Sequence, residues 1–179
     1  MDGRIWIIGA CLAVITLWPI VPVGAKTQLT SATIQEVDQQ TLSELLATFE
    51  QAEQAMQKHD LDGIMALYSE DYLYHGLKKA DIRNIWKQLF DYYKDLESFH
   101  TFSVVRTTIG SGGKVIAEMS CTGVIWGTSK DTTLRTPVDS WYEEVHSLRR
   151  ENGRWRIVGH AGGHARPVLQ FGIAPHPLF

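Results

Sequence analysis

Hydrophobic positions change period twice along this chain, and the changes mark out its elements. After an apolar N-terminal stretch, residues 26–40 are polar without a strong period and read as a linker. From Thr41 the spacing becomes helical: Leu42, Leu45, Leu46, Phe49, Ala52 and Met56 fall on one face, and Glu50, Gln54 and Lys58 on the other. Thr41 and Glu44 have the spacing of a capping box. Asp60 is placed to cap a short second helix whose buried side is Leu61, Ile64, Met65 and Tyr68. The aromatic run Tyr72-Leu73-Tyr74-His75 predicts a short strand. A third helix is expected from about Ala80 to Leu96, with Ile82, Ile85, Trp86, Leu89, Tyr92, Tyr93 and Leu96 inward.

Beyond Ser98 the period becomes two. Strands are predicted over Phe99 to Ile109, Lys114 to Trp126, Leu134 to Arg150 and Arg154 to His160. Asn152-Gly153 is a strong hairpin signal, because both residues tolerate the positive φ of a tight turn. Pro137 predicts a strand start or a bulge. Helices followed by long strands give an α+β fold: three N-terminal helices packed on a strongly curved antiparallel sheet, which leaves a cone. Residues 163–179, rich in Pro and Gly with several apolar side chains, read as a tail.

Composition narrows the classes. The 179 residues are 44% hydrophobic and 21% charged, with a net charge of -3, which disfavours nucleic acid and anionic lipid as partners. Arg4, the uncharged stretch from Ile5 to Val23 and Val23-Gly24-Ala25 have the layout of a cleavable signal peptide over residues 1–25. The expected location is therefore periplasmic or secreted, with an N-terminal membrane anchor as the alternative. Loss of Cys11 would leave Cys121 alone, with no internal disulfide.

The element order resembles the nuclear transport factor 2-like superfamily, in particular its SnoaL-like branch, over about Thr41 to Gly162. Its carriers are Lys58-His59-Asp60-Leu61-Asp62, Leu67-Tyr68-Ser69-Glu70-Asp71-Tyr72 and Glu151-Asn152-Gly153-Arg154-Trp155-Arg156-Ile157-Val158. The resemblance implies a conical barrel whose mouth accepts a small, largely apolar ligand, often in a dimer formed through the outer sheet face. Its members include ketosteroid isomerases, epoxide hydrolases, dehydratases and cyclases, alongside proteins that only bind or assemble. Where the isomerases carry a catalytic carboxylate this chain has Tyr74-His75-Gly76-Leu77, so His75 would have to serve as the base. The stretch from Trp126 to Arg149 shows no clear match to the hydrolases' Asp-Arg-Asp set, although Asp139 and Arg135 are both present.

Candidate chemistry centres on His75 with Tyr72 and Tyr74, a base beside phenols. The Asn152-Gly153 turn sets a register pairing Arg150 with Trp155, Leu148 with Ile157 and His146 with Gly159, which turns His146 and Tyr142 toward the helices. The same register turns Asp139, Trp141 and His160 outward unless a bulge near Pro137 intervenes. An outward Trp141 would mark a dimer interface. His75, Tyr74 and His146 are thus the catalytic candidates, and Tyr72, Trp86, Tyr142, Trp126 and Asp139 the ligand-binding ones. Trp86, Tyr92 and Tyr93 read as core first and ligand wall second.

No metal is expected, since His160 and His164 flank Gly162-Gly163 with no acidic or thiol partner nearby. Gly110-Ser111-Gly112-Gly113-Lys114 lacks the Ser or Thr and the following helix of a phosphate loop, and reads as a hairpin. No cofactor is implied. The expected function is binding of a small apolar or aromatic molecule, with cofactor-free proton transfer as its chemistry. The alternative is a non-catalytic binding or assembly domain whose cone is filled by its own aromatic side chains or by the tail.

Overall fold

The structure is a computed structural model that describes residues 26–74 and 76–159. In chain order it contains β1 (Lys26–Glu36), α1 (Gln39–Gln57), α2 (Leu61–Met65), β2 (Tyr68–Tyr74), β3 (Leu77–Lys78), α3 (Lys79–Tyr92), β4 (Tyr93–Ile109), β5 (Val115–Ser129), β6 (Arg135–Glu151) and β7 (Arg154–Gly159). The strands form one sheet in the order β1-β4-β5-β6-β7-β2-β3. The fold is α+β as expected, but the sheet is mixed rather than antiparallel: β1 runs parallel to β4, and β2 parallel to β7.

β1 corrects the linker expected over residues 26–40. Its Thr- and Gln-rich sequence has no internal apolar period because it is an edge strand, paired on one side only and joined to β4 from Lys26↔Phe99 to Glu36↔Arg106. α1 starts earlier than Thr41. Asp38 is its cap, accepting the Thr41 N–H at 2.7 Å and the Thr41 hydroxyl at 2.9 Å. Glu44 is therefore free of any capping box and accepts the Trp155 indole N–H at 3.1 Å, pinning α1 to β7. Asp60 caps α2 through the Gly63 N–H at 2.9 Å, as its position predicts.

α3 ends at Tyr92 rather than near Leu96, because Tyr93 is already extended and begins β4. Gly127 on β5 allows this, since a Cβ there would lie 2.4 Å from the Tyr93 ring. Leu42, Leu45, Phe49, Ala52 and Met56 of α1 and Ile82, Trp86 and Phe90 of α3 are buried against the concave sheet face. That face supplies Leu96, Phe102, Val105, Ala117, Met119, Cys121, Ile125, Leu148 and Ile157. Burying such side chains contributes about 1.5–3 kcal/mol each.

Candidate functional site

Two bulges on β6 decide which side chains enter the cone. Ile125 pairs with Asp139 but Trp126 with Pro137, which leaves Val138 as an extra residue beside the proline that predicted a bulge. Cys121 then pairs with Glu144 but Gly123 with Trp141, which inserts a second extra residue at Tyr142-Glu143; Glu143 takes a φ of 48° and donates its N–H to the Thr122 hydroxyl at 3.0 Å. Each extra residue reverses the alternation. Trp141, expected outward, is therefore buried on the concave face, and Tyr142, expected inward, is 78% exposed. Asp139 opposes the inward Ile125 and lies on the concave side, half-buried.

His146 is buried on the concave face, with its ring 5.9 Å from that of Phe49. Its partner across the hairpin is not Gly159, because the register slips after Leu148↔Ile157 so that Ser147 faces Gly159. Gly159, at a φ of 87°, instead lets the backbone of β2 approach: a Cβ there would lie 2.2 Å from the Leu73 carbonyl oxygen. Tyr72 and Tyr74 are both buried, and the Tyr74 hydroxyl donates to the Glu144 carboxylate. Burial raises the Tyr72 phenol above its ordinary range. Trp86 is core, donating its indole N–H to the Tyr68 hydroxyl at 3.3 Å. Trp126 lies on the outer face with the Arg135 guanidinium 5.1 Å over its ring. His75, His160 and His164 lie outside the described residues.

The concave face also carries two groups that the sequence patterns passed over. Glu53 sits in the apolar stripe of α1, four residues after Phe49 and three before Met56, and is only 5% exposed. A carboxylate at a core position of an amphipathic helix was the signal that could have found it. Glu53 accepts hydrogen bonds from the Thr27 hydroxyl of β1 at 3.0 Å and from Ser98 at 3.4 Å. His100 alternates with Ser98 and Phe102 along β4, and its Nε2 lies 3.8 Å from Glu53. Desolvation is the main force on Glu53 and pushes its carboxyl up to about 7.

From His100 the polar row continues across the sheet. His100 Nδ1 lies 3.8 Å from the Cys121 sulfur, and the Trp141 indole N–H donates to that sulfur at 3.3 Å. Burial pushes the Cys121 thiol up to about 12, so it is a packed thiol and not a nucleophile. Gly123 makes the row possible, since a Cβ there would lie 2.3 Å from the Trp141 ring. Glu144, opposite Cys121, carries the row to Tyr74, whose strand partner Leu77 is half-buried at the edge of the core. An acid with a pKa near 7 beside an imidazole can both accept and return a proton at neutral pH. Among the described residues no group of three or more His, Cys, Asp or Glu is placed to hold a metal ion.

The family model of the SnoaL-like domain matches residues 49–158, most of the helical layer and the whole run of long strands. This chain belongs to the SnoaL-like family. The SnoaL-like domain shares its fold with a conserved protein from Planctomyces limnophilus, at a TM-score of 0.56 and 16% identity over 68% of this chain and 94% of that one. A proposed aromatic ring hydroxylase from Novosphingobium aromaticivorans matches with a TM-score of 0.53 and 18% identity over 69% of this chain and 88% of that one. A proposed scytalone dehydratase from the same organism matches with a TM-score of 0.53 and 8% identity over 75% and 95%. These likenesses show a shared α+β fold, and with the family model they support the nuclear transport factor 2-like superfamily. No curated protein matches the chain. β1 and most of α1 before Phe49, which supply Thr27 and the cap Asp38, precede the residues matched by the family model.

Proposed function

We propose that this SnoaL-like domain binds a small apolar or aromatic molecule against the concave face of its cone and moves a proton on it without a cofactor. One observation carries this reading: a connected row of Glu53, His100, Cys121 and Trp141 occupies positions where hydrocarbon would stabilise the core better. Glu53 is the acid-base group and His100 its partner. Tyr74 and Glu144 form the polar rim, and His146 lies on the same face. A rim phenol that turns from Glu144 to the ligand can steady the oxyanion that develops when a carbon beside a carbonyl loses a proton. The rival reading, a cone filled by its own aromatic side chains, draws on Phe49, Phe102 and Trp141, all buried there.

The test is exchange of the α-protons of an aromatic ketone into D2O, with binding followed by the Trp141 indole resonance. Exchange that falls at least tenfold in Glu53→Gln and His100→Gln supports the proposal. Equal exchange in both variants, or ketones that leave the Trp141 resonance unmoved, moves the row to the structural column and favours the filled cone.

Two further parts of the reading concern the chain's surroundings. The outer face presents Phe99 opposite Val124, Ile34 opposite Val104, and Trp126, with Phe99 41% and Ile34 55% exposed. This apolar strip favours a homodimer formed through the outer sheet face. Sedimentation of the wild type and of Phe99→Asp decides it: a dimer that becomes a monomer is expected, and a wild-type monomer overturns it. Export is read from residues 1–25, and an N-terminus at Lys26 in the recovered protein is the expected result.

A further inference from the structure

The glycine-rich hairpin between β4 and β5 plays no part in the cone's chemistry, yet it borders a cavity of about 620 Å³ with a distinctive lining. Its walls are Asp38 and Thr41 at the start of α1, Thr107 of β4, Lys114 and Val115 at the start of β5, Arg149, Arg150 and Glu151 of β6, and Trp155 of β7. None of these belongs to the row from Glu53 to Trp141. The cavity is of the size that small-molecule sites occupy.

The charges in this lining are not equally committed. Asp38 is spent on the Thr41 N–H and hydroxyl, and Glu151 accepts from Ser69 at 2.7 Å and from Arg149. Arg149 is held by Asp71 and Glu151. Arg150 makes one contact, at 3.2 Å to Glu44, which leaves most of its N–H donors unused among the described residues. The Lys114 ammonium has no hydrogen-bond or ion-pair partner among the described residues, and the turn that presents it is held by the Gly110 N–H donating to the Lys114 carbonyl at 2.8 Å. Asp38 and Glu151 thus have their oxygens engaged by donors, whereas the Lys114 ammonium and most of the Arg150 guanidinium donors are not engaged among the described residues. Beside them Val115 is 51% exposed, and Trp155 offers an aromatic wall.

The geometry points to a second ligand site in this cavity, for a small organic anion: a carboxylate or phosphate carried on an apolar body, its charge against Lys114 and Arg150 and its body against Val115 and Trp155. The Lys114 ammonium and the spare N–H donors of Arg150 account for the charge of the ligand. The exposed valine beside an indole accounts for the apolar body, which a bare inorganic ion would not need.

Titration of the full chain with benzoate, inorganic phosphate and benzyl alcohol, followed by the amide resonance of Val115 and the indole resonance of Trp155, tests the site. Benzoate is expected to shift both resonances and to bind at least fivefold more tightly than either phosphate or benzyl alcohol. Its binding is expected to weaken at least threefold in Lys114→Gln and in Arg150→Gln, both exposed positions, and in Val115→Asp. Benzoate that leaves the resonances unmoved, equal binding of phosphate or benzyl alcohol, or full binding by a Lys114→Gln/Arg150→Gln double variant that unfolds like the wild type overturns the assignment.

Discussion

Replacing Glu53 by Gln tests the interior carboxyl as a determinant of stability, apart from any ligand. The folded chain holds the Glu53 proton more tightly than the unfolded chain does, since its pKa rises from 4.5 to about 7. Below about pH 4.5 both states keep the proton and burial of the carboxyl carries no ionic penalty. Between 4.5 and 7 the unfolded chain releases the proton while the folded chain retains it, so stability falls as pH rises. Above about 7 the loss is complete. At about 1.4 kcal/mol for each tenfold change in proton affinity, the whole effect is about 3 kcal/mol, or roughly 10 °C in Tm for a domain of this size. Gln keeps an oxygen to accept from Thr27 and Ser98 but has no proton to lose. Urea unfolding at pH 5 and pH 8 is therefore expected to show the wild type losing about 2.5 kcal/mol more than Glu53→Gln, since part of the effect is already spent at pH 5. Glu50 also acts on Glu53, raising its pKa by its charge, and remains present in both proteins, so the difference between them isolates the buried group. A variant that loses as much stability as the wild type, or a wild type equally stable at both pH values, would refute the argument.

Three other outcomes follow from packing. Gly123→Ala places a Cβ 2.3 Å from the Trp141 ring and 2.7 Å from the Phe99 carbonyl oxygen, and is expected to cost about 1–3 kcal/mol in urea unfolding and to shift Trp141 fluorescence. Asp38→Ala removes the α1 cap and is expected to lower the urea midpoint. Cys121 is fully buried with its thiol pushed up to about 12, so in a Cys11→Ser background it should react with a disulfide reagent at pH 8 only as fast as the domain unfolds; rapid labelling of the folded protein would contradict the packing.

The helices and the β6–β7 hairpin were legible because their signals are local. α1 and α3 show their buried stripes at spacings of three and four, and Asn152 and Gly153 adopt the positive φ values, 51° and 78°, that their turn demands. β1 was not legible, since its pairing lies with β4, far along the chain, and an edge strand needs no apolar period. The inward set on β6 was read in the wrong phase. Counting back from the hairpin placed His146 correctly, but the extra residue at Tyr142-Glu143 exchanged Trp141 for Tyr142, and no rule of alternation foresees an insertion whose cause is a bulge against Thr122. Glu53 and His100 are not legible as a pair, because the carboxyl enters from α1 and the imidazole from β4, far apart along the chain.

The outermost ribbon, β1, is the only described strand whose hydroxyl donates to Glu53 from outside the span common to the family. Secured on a single flank, it opens by fraying more readily than the inner strands, in excursions too small to unfold the domain. Each such breath withdraws Thr27 and lets water approach the carboxyl, so the looseness of this border governs how promptly the interior comes to equilibrium with a change in outside acidity.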